Sequence, residues 1–158
     1  MTASVQKTAI QARTLVSDEL FRKLTNDVLR EDRELDAACS HRVTDREVAE
    51  RIVDQAIAFV ASADPDKFLR PSKRVDKGWH AFMLRTHEYA EFTAQRPGWF
   101  VHHDPDVDPA FGDEGRAIAA ESVKVIEAAG FVVDHELWDN AASCGESGCG
   151  AGRPPATR

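Results

Sequence analysis

Thr44-Asp45-Arg46-Glu47-Val48-Ala49-Glu50-Arg51-Ile52-Val53-Asp54-Gln55-Ala56-Ile57-Ala58-Phe59-Val60-Ala61-Ser62 is the stretch on which the fold turns. It opens with Thr44-x-x-Glu47, the pattern of a capping box, in which the Thr and Glu side chains each satisfy a free backbone N–H at the start of a helix. Val48, Ile52, Ala56, Phe59 and Val60 then recur at helical spacing. This predicts an amphipathic helix over 44–62 with its apolar face turned inward. Asp64-Pro65 ends it, because proline disfavours helical geometry in the residue before it.

On the N-terminal side, Ser17 is a candidate N-cap, followed by Asp18 and Glu19 where the helix dipole favours acids. Leu20, Phe21, Leu24 and Val28 continue as one apolar stripe, and Arg30 to Glu34 reads as its solvated extension. Residues 1–16 have no clear period and read as a frayed or partly helical terminus. On the C-terminal side, Ser72 is placed to cap a helix from Lys73 to Arg85, in which Gly78 would let another backbone approach closely. Thr86 opens a short second helix to Gln95, stopped by Arg96-Pro97-Gly98, whose Pro-Gly suits a type II turn.

Trp99-Phe100-Val101-His102-His103 is aromatic and β-branched and reads as extended. A loop rich in acids, Pro and Gly follows. A helix from about Asp113 to Ala129 then meets Gly130, a residue suited to the position just past a helix end. Beyond Asn140 there is no bulky apolar residue, so the end of the chain reads as a flexible tail. The expected fold is mainly α: a compact bundle of four to five helices around 44–62, forming one domain over 17–138. At most a minor extended pairing near 99–103 accompanies it, with residues 139–158 as the tail.

The 158 residues suffice for one domain with a real core, and 42% hydrophobic with 30% charged residues is ordinary globular composition. A net charge of −7 argues against a general nucleic-acid binder, whose footprint is a basic excess. Arg70, Lys73, Arg74 and Lys77 make a local basic group that reads as a solvated face. No apolar run reaches the roughly 20 residues needed to span a bilayer, and charged residues interrupt the first twenty, so no membrane role or secretory leader is expected. Three cysteines are too few for a disulfide scaffold and fit a reducing compartment. The chain therefore reads as cytoplasmic.

Chemistry concentrates between Val75 and Pro105. This stretch holds four of the six histidines, two of the three tryptophans and the only tyrosine. His80 and His87 are seven apart and would share a face of one continuous helix, but a cap at Thr86 breaks that register. His102 and His103 are adjacent, and in an extended segment they point to opposite faces, so only one of them can join His80. His103 is favoured, because His102 shares parity with Phe100.

A metal site for Zn or Fe is the functional reading: imidazole is the commonest ligand, and histidines with a carboxylate suit either ion. Asp76, four residues before His80, could orient it or ligate; Glu88, Asp104 and Asp106 are further carboxylates, and Tyr89 could donate or ligate. No H-E-x-x-H or C-x-x-C spacing is present. The bland reading has His80 and His103 hydrogen-bonded to fix the crossing of helix and strand, with Trp79, Trp99 and Tyr89 in the core.

Cys144-Gly145-Glu146-Ser147-Gly148-Cys149 spaces two tail thiols within the loose range for zinc, although the tail has no apolar anchor after Trp138. A redox-active or processed tail is equally compatible. Ser122 and Ser143 lack a nucleophile-elbow context, and no Gly-rich phosphate loop follows a strand.

Taken together, Val75-Asp76, Trp79-His80, Thr86, Tyr89, Phe92, Gly98 and His102-His103-Asp104-Pro105 resemble the pattern of the glycine-rich domain-containing protein family over about residues 45–105. Members often carry a second histidine where this chain has Phe82, or a cysteine where it has Thr93. The resemblance implies a helical fold and a shared site but no reaction. Three readings follow. The first is a metal-binding protein, with enzyme activity left open. The second is a non-catalytic module in which the Trp-His cluster is structural and a protein partner is met elsewhere. The third is a folded leader-like domain carrying a modified Cys/Gly tail.

Overall fold

The computed structural model describes residues 8–31, 43–104, 112–138 and 150–152. The protein is mainly helical. After a short 3-10 helix at Ala12–Leu15 come α1 (Asp18–Glu31), α2 (Arg46–Ala61), α3 (Lys73–Leu84) and α4 (Thr86–Gln95). Strand β1 (His102–Asp104), α5 (Gly112–Ala128), the single turn α6 (His135–Trp138) and strand β2 (Gly150–Gly152) complete it. Among the described residues, no helix is long and apolar enough to cross a membrane.

Helix α2 is the hub, packing against α1, α3, α5 and the 3-10 helix. From Ile52 to Val60 every residue is buried, so this part is enclosed on all sides and not only along one stripe. Burying a Phe or Ile of this kind contributes on the order of 1.5–3 kcal/mol each. The capping box does not form. The helix starts one residue later, with Asp45 as N-cap accepting from the Glu47 N–H at 2.8 Å. An aspartate caps as well as a threonine, so the local signal marked the right end by the wrong side chain.

Ser72 does cap α3, accepting from the Val75 N–H, and its hydroxyl donates to the Leu137 carbonyl. Helix α3 crosses α2 at Gly78. A Cβ built there would lie 2.8 Å from the Ala56 Cβ and 3.0 Å from the Ile52 carbonyl oxygen, so any side chain would drive the helices apart. Gly130, at φ +90°, closes α5 as its sequence position implies.

Residues 8–16 are partly helical, at Ala12–Leu15, and are tied down instead of frayed. Ile10 forms a parallel bridge with Phe131, Ala12 is fully buried, and the Arg13 N–H donates to Asp54. The order comes from hydrogen bonds to residues more than forty positions away, which no local period reports. β2 pairs antiparallel with β1 in the register His102↔Gly152, His103↔Ala151 and Asp104↔Gly150. Cys39, Cys144 and Cys149 lie outside the described residues, as does Asp106.

Candidate functional site

The cap at Ser72 sets the start of α3 and thereby puts Asp76 and His80, one turn apart, on the same face. The extended segment after Gly98 brings β1 across that face and delivers His103. Asp76 Oδ2 lies 3.7 Å from His80 Nδ1, and Asp76 Oδ1 lies 3.6 Å from His103 Nε2. The two Nε2 atoms face each other at 2.7 Å. One donor atom from each of the three residues falls within 4.8 Å of the other two.

The carboxylate separations are too long for hydrogen bonds. Asp76 Oδ1 is buried with no hydrogen-bond partner. The residue as a whole is 8% exposed, whereas the His80 side chain is 43% exposed and opens the cluster to solvent. At 2.7 Å the imidazole pair shares one hydrogen, carried by one Nε2 and accepted by the other, with the tautomers inferred from that contact. Burial pushes His80 below the usual histidine range; Asp76 opposes this and His103 adds to it.

Behind the cluster is a wall of aromatics. The His103 ring rests on Trp79 at 4.7 Å and on His80 at 4.5 Å, and Trp79 packs edge-on against Phe59 at 5.1 Å. Trp79 Nε1 donates to the Tyr89 hydroxyl at 2.9 Å, which donates to the Val101 carbonyl at 2.7 Å. This relay ties α3 and α4 to the residue just before β1, so it determines where His103 arrives. Burial raises the Tyr89 phenol far above its ordinary pKa. With its proton given to Val101 and its oxygen accepting from Trp79, Tyr89 is a positioning group and not a ligand.

The other sequence candidates lie apart from the cluster. His102 is exposed and stacks on Phe100 at 4.8 Å, on the opposite side of β1 from His103. His87 is exposed on α4, where the start of a new helix turns it out of the His80 face. Asp104 is half-buried on β1 next to His103 but is not one of the three clustered residues. Glu88 lines a groove between α1 and α4 together with Leu20, Lys23 and Phe92.

Sequence reasoning missed a second polar junction, on α2. Gln55 Nε2 donates to the Val132 carbonyl and to Asp54, while Gln55 Oε1 accepts from the Asp134 N–H and from Trp138 Nε1. Arg51 grips Asp134 with two hydrogen bonds and reaches Glu136 as well. Beside these groups is a cavity of about 420 Å³ lined by residues including Gln11, Arg13, Glu47 and Asp54. A signal existed: Asp54-Gln55 is the one polar pair inside the apolar run Ile52 to Val60.

A protein-family model, UCP032817-like, matches residues 13–114, well over half of the chain. The chain belongs to this family. The match to the UCP032817-like family runs from the 3-10 helix into α5, so it takes in Asp76, His80 and His103. It overturns the resemblance to glycine-rich domain-containing proteins, since no glycine-rich domain family is indicated. The physical reason is that most of the quoted pattern answers demands of the fold. Trp79, Tyr89 and Phe92 are core, and Gly98 occupies a positive-φ position at +97°. No curated protein and no solved structure matches the chain.

Proposed function

We propose that the protein binds a divalent transition metal, Zn or Fe, through Asp76, His80 and His103. The observation that carries this reading is the orphaned Asp76 Oδ1, a buried carboxylate oxygen without a hydrogen-bond partner, set 3.6 Å from a histidine nitrogen. Leaving such an oxygen bare costs about 1–3 kcal/mol or more for a charged group, and a cation removes that cost. The ion would sit where the two imidazoles now share a hydrogen, and the imidazole that carries this hydrogen would hold it on Nδ1 instead. Ligand atoms at about 2.0–2.1 Å from a tetrahedral ion stand about 3.3 Å apart, so the two Nε2 atoms would part by about half an ångström. Three protein ligands leave positions open to water or a substrate, as in metal centres that catalyse; closed structural centres have four. The Trp79–Tyr89–Val101 relay would act as the support that holds His103 in place.

Metal analysis of the untagged full-length protein tests the reading. Near-stoichiometric Zn or Fe is expected, lost in His80→Ala and in Asp76→Asn with helical circular dichroism unchanged. Protein that is metal-free, fully stable and indifferent to added Zn(II) and Fe(II) would sink it. A second reading has one observation in its favour. The 2.7 Å His80–His103 hydrogen bond satisfies both Nε2 atoms without any ion, as a purely structural junction in an interaction module requires.

A further inference from the structure

We infer that β1 is a strand-docking edge and that its occupant, the chain's own segment 150–152, governs the metal affinity of the Asp76–His80–His103 centre; this rests on the metal reading above. β1 is three residues long, and β2 is the one strand paired with it among the described residues. A strand this short has no stability of its own. Its backbone is held at one end by the Tyr89 hydroxyl on the Val101 carbonyl and along its length by β2. The central register pair is His103↔Ala151, so the pairing falls on the ligand residue itself.

The occupant is built to be weak. Gly150-Ala151-Gly152 has none of the β-branched or aromatic residues that favour strands, and ordering glycine is entropically costly. A segment of this composition docks weakly, and while docked its pairing restrains the backbone of the ligand residue His103. Linkage then runs both ways: the docked strand tightens metal binding, and bound metal tightens docking by the same factor.

The test uses the full-length chain with Gly150→Pro and, separately, Ala151→Pro. Along an antiparallel strand successive N–H groups alternate between facing the partner and facing away, so at least one of these substitutions removes a ladder hydrogen bond. Zn(II) affinity is measured by chelator competition, and hydrogen exchange is followed at the amides of residues 102–104. At least one proline variant is expected to bind Zn(II) about tenfold more weakly, the scale on which supporting contacts act on metal sites. Its 102–104 amides should exchange faster, with the urea midpoint of the helical domain unchanged. If the parent binds Zn(II) and both variants match it, the strand has no hold on the centre and the inference is overturned while the metal reading stands. If the parent binds no Zn(II), the metal reading itself fails and takes this inference with it.

Discussion

Two polar junctions join helices of this protein to distant segments, and they are finished to different degrees. At the α2 junction Gln55 uses all four of its hydrogen-bonding positions: two donated bonds, to Asp54 and Val132, and two accepted, from Asp134 and Trp138. At the α3 junction Asp76, almost as deeply buried, leaves Oδ1 with none. Both stand beside an aromatic wall that includes Phe59, which contacts Trp79 on one side and Trp138 on the other. The contrast separates a polar group that holds the fold together from one that has capacity left for something else. A saturated network gains stability from its completeness; an unsaturated one keeps a cost that a ligand can remove.

The sharpest way to break this comparison is Gln55→Leu. It strands the Trp138 and Asp134 donors at once and should destabilise the protein by about 3 kcal/mol, at 1–3 kcal/mol per buried unsatisfied group. Urea unfolding checks it. A loss below 1 kcal/mol would mean that the junction is not the fastener described here.

The matching substitution on the other side, Asp76→Asn in metal-free protein, should change stability by no more than about 0.5 kcal/mol. Relief of an unpaired buried charge offsets the lost interaction with the α3 dipole. A large destabilisation would show Asp76 to be as structural as Gln55 and would erase the distinction.

The smallest effect is a slope. Burial raises the Asp54 pKa above its ordinary value, with the Arg13 N–H and Gln55 opposing the shift. The folded state therefore binds this proton more tightly than the unfolded state. Asp54 makes stability fall as pH rises from the ordinary aspartate range, about pH 4, through its raised value. Asp54→Asn removes that contribution, so its stability relative to the parent should climb with pH across the same window. Paired urea midpoints read the trend, and a flat difference would place Asp54 in a more solvated setting than its burial implies.

Much of the architecture was legible because it is written locally. Ser17 and Ser72 accept from the N–H groups of Leu20 and Val75 as caps do, and Phe21, Leu24 and Val28 of α1 and Ile52, Ala56, Phe59 and Val60 of α2 are buried as their spacing implies. Gly78 and Gly130 stand where a close approach and a helix end require glycine. The candidate cluster was partly legible for the same reason. Helical spacing alone puts Asp76 and His80 on one face, and strand alternation alone puts His102 and His103 on opposite sides. Neither rule says that β1 crosses α3 at His80 and not α4 at His87. Gln55 went unread because a single polar residue in an apolar helix does not reveal which distant backbone it meets.

By itself, then, the amino-acid sequence located the five longer helices and marked Gly78 as a place of close approach, because these follow from backbone hydrogen bonding and side-chain size within a few residues. Only the tertiary structure decided that Ala12 belongs to the core and Ile10 bridges to Phe131, that Tyr89 positions β1 through Val101, and that Asp76 meets His103 across 27 positions of chain with one oxygen left bare. Those outcomes depend on which buried polar groups find partners, and partnership between distant residues is a property of packing that local patterns do not carry.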